Sequence, residues 1–193
     1  DTEKNDVILR VLKTINSDSL SVVGPERKQV WEKGWSENLQ NFTNSSYDLN
    51  ELIPKFVKTS EVERLEGNYV MPSNPQFETS FVTVLRIYLF RKYFSKFSSI
   101  CEFGCGAGLN LVALANIYPE KKLYGLDWAK ASCDTINKIA ETKKLNMSGI
   151  LFDMFSPDSR LDIPRNSAVF TIGAMEQLGK NFEPFLQYLL KKR

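Results

Sequence analysis

Apolar positions along this chain change their period several times, and each change marks an element. Over residues 5–16, Ile8, Val11, Leu12 and Ile15 form one helical stripe, with Asp6 in a capping position. A polar turn follows over 17–24. Pro25 then opens a second helix, where its missing N–H costs nothing and its φ is already set. That helix carries Val30, Trp31, Trp35, Leu39 and Phe42. Trp31 and Trp35 share a face, one turn apart. Either both anchor an N-terminal helical layer, or one of them walls a pocket. Residues 41–50 read as loop, and a third helix over 49–58 carries Leu52, Ile53, Phe56 and Val57.

The segment 60–78 breaks the helical pattern. Gly67, Pro72 and Pro75 exclude a long regular helix there. Its polar side chains, among them Arg64, Tyr69 and Asn74, are many for a connector. They read either as a lid that lends a residue to the site or as a solvated linker with Tyr69 packed for shape. Residues 79–97 follow as a strongly apolar helix, with Phe81, Val84, Leu85, Tyr88 and Phe94 expected to face a sheet. Beyond it the period shortens. Residues 99–103 form a short apolar run with no helical period, suited to a buried parallel strand. Leu109, Val112, Ala113 and Ile117 return to helical spacing, and 123–127 make a second strand ending on Asp127. Another helix over 129–144, a strand at 149–152 ending at Asp153, a strand at 167–172 and a last helix with Phe182, Phe185, Leu186 and Leu189 complete the pattern. Strands alternating with helices predict an α/β fold built on a parallel sheet.

Between the first of these strands and its helix stand Gly104, Gly106 and Gly108 at every second position. Glycine permits positive φ and lets a ligand approach the backbone. The helix N-terminus beyond them presents unpaired N–H groups and a partial positive charge. Asp127, at the tip of the next strand, is placed to accept hydrogen bonds from the two hydroxyls of a ribose. Each such bond to a carboxylate is worth roughly 1.5–3 kcal/mol. The dinucleotide fingerprint G-x-G-x-x-G would need glycine where this chain has Leu109.

The spacing Glu102-x-Gly104-x-Gly106-x-Gly108 resembles the first motif of class I S-adenosylmethionine-dependent methyltransferases. G-L-D-W at 125–128 is similar to that family's acidic ribose-binding turn. L-F-D-M at 151–154 looks like its third-strand aspartate, and G-A-M-E-Q-L-G at 173–179 like the segment after its fourth strand. The resemblance implies a Rossmann-like parallel sheet of order 3-2-1-4 and S-adenosylmethionine as cofactor. It implies cofactor contacts from Glu102, Gly104, Gly106, Gly108, Asp127, Trp128, Asp153 and Met154, with Trp128 and Met154 against the adenine. Residues 1–78 become an N-terminal helical and lid region, and 79–193 the cofactor-binding core. That core is cut short after its fourth strand, so a further C-terminal part or a second copy of the chain is expected to cover the apolar edge.

The chain has no histidine, which removes the commonest general base. Glu176 is the remaining candidate for proton removal from an acceptor, or else it bonds the glycine loop or the cofactor. Gln177 stands where relatives often carry histidine. The family's metal-dependent members carry an aspartate just after strand four; here the residues are Thr171, Ile172, Gly173 and Ala174, and no metal site is expected. The N-terminal aromatic helices together with the segment Arg64–Glu78 also resemble sugar O-methyltransferases of bacterial polysaccharide loci. The implied function is therefore methyl transfer to a small-molecule acceptor such as a sugar hydroxyl. The alternatives are a protein-modifying methyltransferase, a non-catalytic nucleoside-binding Rossmann-fold protein, and a nicotinamide oxidoreductase, which Leu109 disfavours.

Composition changes this picture little. A length of 193 residues suits one domain plus an appendage. A net charge of +2 gives no strong basic field for nucleic acid or an anionic membrane. No apolar run reaches the roughly 20 residues that span a bilayer. The polar start D-T-E-K-N-D is unlike a secretory signal. Cys101, Cys105 and Cys133 are odd in number and lack metal spacing, so they read as buried thiols of a cytoplasmic protein. The sequons at Asn41, Asn44 and Asn146 are then chance matches.

Overall fold

The structure, a computed structural model, describes residues 2–16, 23–54 and 62–192, with the side chains of 2–4 excluded. Two compact units divide the chain: residues 1–22 with 55–85, and residues 23–54 with 86–193. Residues 23–54, grouped by sequence with the N-terminal region, therefore belong with the sheet.

In the first unit, α1 spans Thr2–Asn16. A β-hairpin, β1 (Glu63–Leu65) and β2 (Asn68–Val70), pairs Arg64 with Tyr69. The turn between them uses Glu66 and Gly67, both at positive φ. Three-residue strands carry too little alternation to stand out in the sequence, so the hairpin is not expected within the segment 60–78. Helix α3, Phe77–Phe94, starts in this unit and ends in the other. Asn74 sets its start: its Oδ1 accepts from the Gln76 N–H at 2.9 Å and its carbonyl from the Phe77 N–H at 3.0 Å.

In the second unit, four parallel strands lie in the order β5-β4-β3-β6: β3 Ser99–Phe103, β4 Lys122–Asp127, β5 Met147–Leu151 and β6 Ser167–Phe170. Helices α4 (Leu109–Ile117), α5 (Lys130–Lys143) and α6 (Glu183–Lys191) connect or follow them. The pleat of β3 divides the core. Ile100 joins Leu111, Leu114, Leu123, Ile136 and Ile139 on one face, while Cys101 and Phe103 meet Phe152, Phe185 and Tyr188 on the other. Ring centroids 5.0 Å apart link Phe103 to both Phe152 and Phe185. Lys121, buried, donates from Nζ to the carbonyls of Phe94, Ser95 and Phe97 at 2.8, 2.8 and 2.6 Å. A cation on the last carbonyls of α3 opposes the helix dipole there and ties that helix end to β4.

Several expectations need correction. The second helix runs on through the segment read as loop: after a 3-10 turn at Pro25–Arg27, α2 spans Lys28–Asn44. The third helix reduces to a 3-10 turn, Leu49–Leu52, capped by Asp48. Pro54 disfavours a helical Ile53, whose backbone is extended. The remainder of that expected helix, like the turn over 17–22, lies outside the described residues. On α3, Phe81, Val84, Leu85 and Tyr88 are 53, 69, 44 and 55% exposed, whereas Phe90 is buried. Apolar residues surround this helix on nearly every side, so periodicity selects no face. What decides is the stacking of Phe90 on Phe94 and their edge-on and tilted contacts with Phe170 of β6. Strand β6 stops at Phe170, before the expected Ile172, where its pairing with β3 ends at Glu102. Among the described residues no helix is long and apolar enough to cross a membrane.

Candidate functional site: the glycine turn between β3 and α4

The turn after β3 takes its shape from backbone rather than side chains. Gly104, Gly106 and Gly108 have φ of 73, 50 and 79°, a region that costs other residues roughly 1–2 kcal/mol each. Gly104 and Cys105 donate to the Leu126 carbonyl at 2.7 and 3.2 Å, holding the turn against the end of β4. Gly108 donates to Cys105 at 2.9 Å and then leads into α4 without a side-chain cap.

Asp127 sits at the tip of β4, 6% exposed. Its Oδ2 accepts from the Gly106 N–H and its Oδ1 from the Ala129 N–H, each at 2.9 Å. The carboxylate thus ties the glycine turn to the loop before α5. A carboxylate has about four lone-pair sites, and these bonds use two. Burial pushes its pKa up, against the lowering effect of the backbone donors.

Glu102 lies behind the turn, 1% exposed, with Oε1 accepting from Asn110 Nδ2 of α4. Its Oε2 has no hydrogen-bond partner among the described residues. Burial drives its pKa up to about 8, and the Asn110 bond and Arg86 charge only partly oppose that. Glu102 therefore acts on α4 from inside the protein.

The sequence reading left the space over the glycines open; in the structure, side chains fill it. A methyl placed on Gly106 would lie 2.8 Å from Cζ2 of Trp35. One on Gly104 would overlap the Ala174 methyl and approach the Met154 sulfur at 3.9 Å. One on Gly108 would overlap Cδ1 of Ile136. A site thus converges from the glycine turn, Trp35 of α2, Met154 after β5 and Ala174 after β6. Trp128, half-buried, lies 5.1 Å from Phe155, ring centre to ring centre. Asp153 accepts from the Phe155 N–H at 2.8 Å, which fixes the loop after β5.

Glu176 is exposed, at the start of the 3-10 segment Met175–Asn181, with Oε1 3.9 Å from a methyl placed on Gly173. Arg64, Tyr69 and Asn74 lie in the other unit, all exposed, with the Arg64 guanidinium 5.9 Å from the Tyr69 ring centre. The sequence reading missed Ala174, Asn110 and Glu32. Glu32 of α2 accepts from the Lys130 and Ala131 N–H groups at 2.7 and 3.0 Å, capping α5 from 98 and 99 positions away. Its place between Trp31 and Trp35 is the one local signal that could have marked it. Among the described residues no group of three or more Cys, Asp or Glu side chains is arranged to hold a metal ion.

No protein-family model matches the chain, and no curated protein sequence matches it. Solved structures do share its architecture. The [4+2]-cyclase SpnF superposes with a TM-score of 0.55 at 15% identity, over 89% of this chain and 58% of that one. The plantazolicin methyltransferase BpumL in complex with SAH gives 0.44 at 18% identity, over 86% and 56% of the two chains. A SAM-dependent methyltransferase from Aquifex aeolicus gives 0.44 at 18%, over 55% and 57%. The chain spans a little over half the length of each of these proteins. At the level of architecture, then, this chain is an α/β protein with the Rossmann-like fold of SpnF.

Proposed function

We propose that the chain binds S-adenosylmethionine at the glycine turn and transfers its methyl group to a small-molecule acceptor, a sugar hydroxyl being one candidate. The observation that carries this reading is a pair of features. One is the turn of three positive-φ glycines; the other is the Asp127 carboxylate at the tip of the adjacent strand. The polar groups around the turn suit an adenosyl ligand, although the Trp35 ring stands over Gly106. Asp127 keeps lone pairs for ribose hydroxyls, half-buried Trp128 offers apolar surface for a purine, and Asp153 offers an acceptor for its amine, while Met154 is buried in the core beside the turn. Glu102 supports the turn from behind.

When bound, the cofactor supplies a methyl group already activated as a sulfonium, so the protein chiefly positions the acceptor. Glu176, on the segment after β6, is the residue we assign to accept the acceptor's proton. Three free, buried thiols suit a reducing compartment, and we place the protein in the cytoplasm.

Isothermal titration with S-adenosylhomocysteine tests the reading. The protein should bind it, and Asp127→Ala should weaken binding at least tenfold, about 1.4 kcal/mol. Unchanged affinity removes Asp127 from the ribose. Glu176→Gln should retain binding and lose turnover. A second reading has one specific observation behind it. SpnF, which shares the fold, is named a [4+2]-cyclase rather than a methyltransferase. Binding without release of S-adenosylhomocysteine across a panel of sugar, small-molecule and protein acceptors would favour a non-methylating role.

A further inference from the structure

Two side chains of α2 reach the core near the glycine turn, Trp35 onto Gly106 and Glu32 onto the start of α5. Glu32 replaces the missing cap of α5: Ala129 makes no side-chain capping bond, and both Glu32 oxygens accept from the first-turn N–H groups of Lys130 and Ala131. Three residues on, and so on the same helix face, Trp35 lays the benzo edge of its indole against Gly106. Carbons Cζ2 and Cη2 would lie 2.8 and 3.0 Å from a methyl placed there. Trp31 stacks on Trp35 with centroids 5.6 Å apart and planes 19° from parallel, and the Arg27 guanidinium lies 5.5 Å from the Trp31 ring centre. The indole therefore belongs to a stack fixed at both ends, by Arg27 on one side and the glycine turn on the other.

The geometry points to α2 as a gate. Trp35 occupies the space above Gly106 that an adenosyl ligand needs, Glu32 latches the helix to α5, and binding requires Trp35 to swing away. This rests on the reading of the glycine turn as the ligand seat. The steric argument is short. Gly106 is useful to a ligand because its backbone is bare, and here a ring stands where a methyl on that face would point. Ring and ligand exclude each other. Apparent affinity is then the intrinsic affinity reduced by the fraction of molecules with the indole displaced. Removing the ring removes that reduction. Weakening the latch raises the open fraction without touching the seat.

The test uses S-adenosylhomocysteine and calorimetry on the full chain, Trp35→Ala and Glu32→Gln. Hydrogen exchange of the parent with and without the compound accompanies it. Trp35→Ala should bind at least fivefold more tightly than the parent, and Glu32→Gln should fall between them. In the parent, ligand should speed exchange in α2. Measurable binding by Trp35→Ala alone, with a silent parent, also supports the gate. Parent binding with equal or weaker affinity in Trp35→Ala overturns it and makes Trp35 a wall of the site. If Trp35→Ala does not fold, the parent decides: slower exchange in α2 on adding ligand overturns the gate. Absence of binding by every folded variant overturns the adenosyl reading itself, and the gate with it.

Discussion

Glu102 is buried behind the glycine turn with one oxygen unpartnered. Its pKa stands near 8 against an ordinary 4.5, chiefly through burial. Below pH 4.5 the folded and the unfolded chain both hold the proton. Between about 4.5 and 8 the unfolded chain releases it and the folded chain keeps it, so stability falls as pH rises across that window. Glu102→Gln should flatten the fall and gain about 1–3 kcal/mol over the parent at pH 8.5 in urea unfolding. Near pH 5 the two proteins should differ little. A parent whose stability stays level from pH 5 to 8 would place the carboxyl in a more polar setting than the structure gives it. Gly108 shows the opposite kind of constraint. An alanine there meets both a φ of 79° and the fully buried Ile136, so Gly108→Ala should cost about 2–4 kcal/mol in urea midpoint measurements.

Among the elements, α5 depends on a distant residue. Its N-terminal cap is Glu32, which belongs to α2, so one carboxylate ties the start of α5 to another helix. Glu32→Ala should lower stability by about 0.5–2 kcal/mol, the range for losing a helix cap, and should speed amide exchange in the first turn of α5. An unchanged exchange rate there would mean that water replaces the carboxylate at no cost. Helix α3 teaches a related lesson. Its sequence is apolar on nearly every side, so no stripe names the buried face; contact with Phe170 does.

For the whole molecule, ligand binding and folding are linked. A compound held only by the folded chain, at a hundredfold its dissociation constant, adds about 2.7 kcal/mol of stability. For a domain of this size that corresponds to a rise of about 5–10 °C in Tm. S-adenosylhomocysteine should produce it, and a tenfold loss of affinity in Asp127→Ala should remove about half of it at the same concentration. A shift undiminished by the substitution would send the ligand elsewhere on the protein.

The strand, the three glycines, the helix after them and the acidic strand tip could be read directly from the residues, because each rests on local physics. Alternating side chains occupy the two faces of a strand, positive φ demands glycine, and a 3.6-residue period makes a helix. Hence Ser99–Phe103 and Leu109–Ile117 fall where their residues put them. Packing between distant parts of the chain decided much of the rest: the exposed side of α3, the inward turn of Glu102 and the placing of Trp35 on Gly106. Those depend on contacts between residues tens of positions apart, whose energies come from shape and burial. No short stretch of sequence encodes that Glu32 reaches α5; only the folded chain brings the carboxylate and the helix end together.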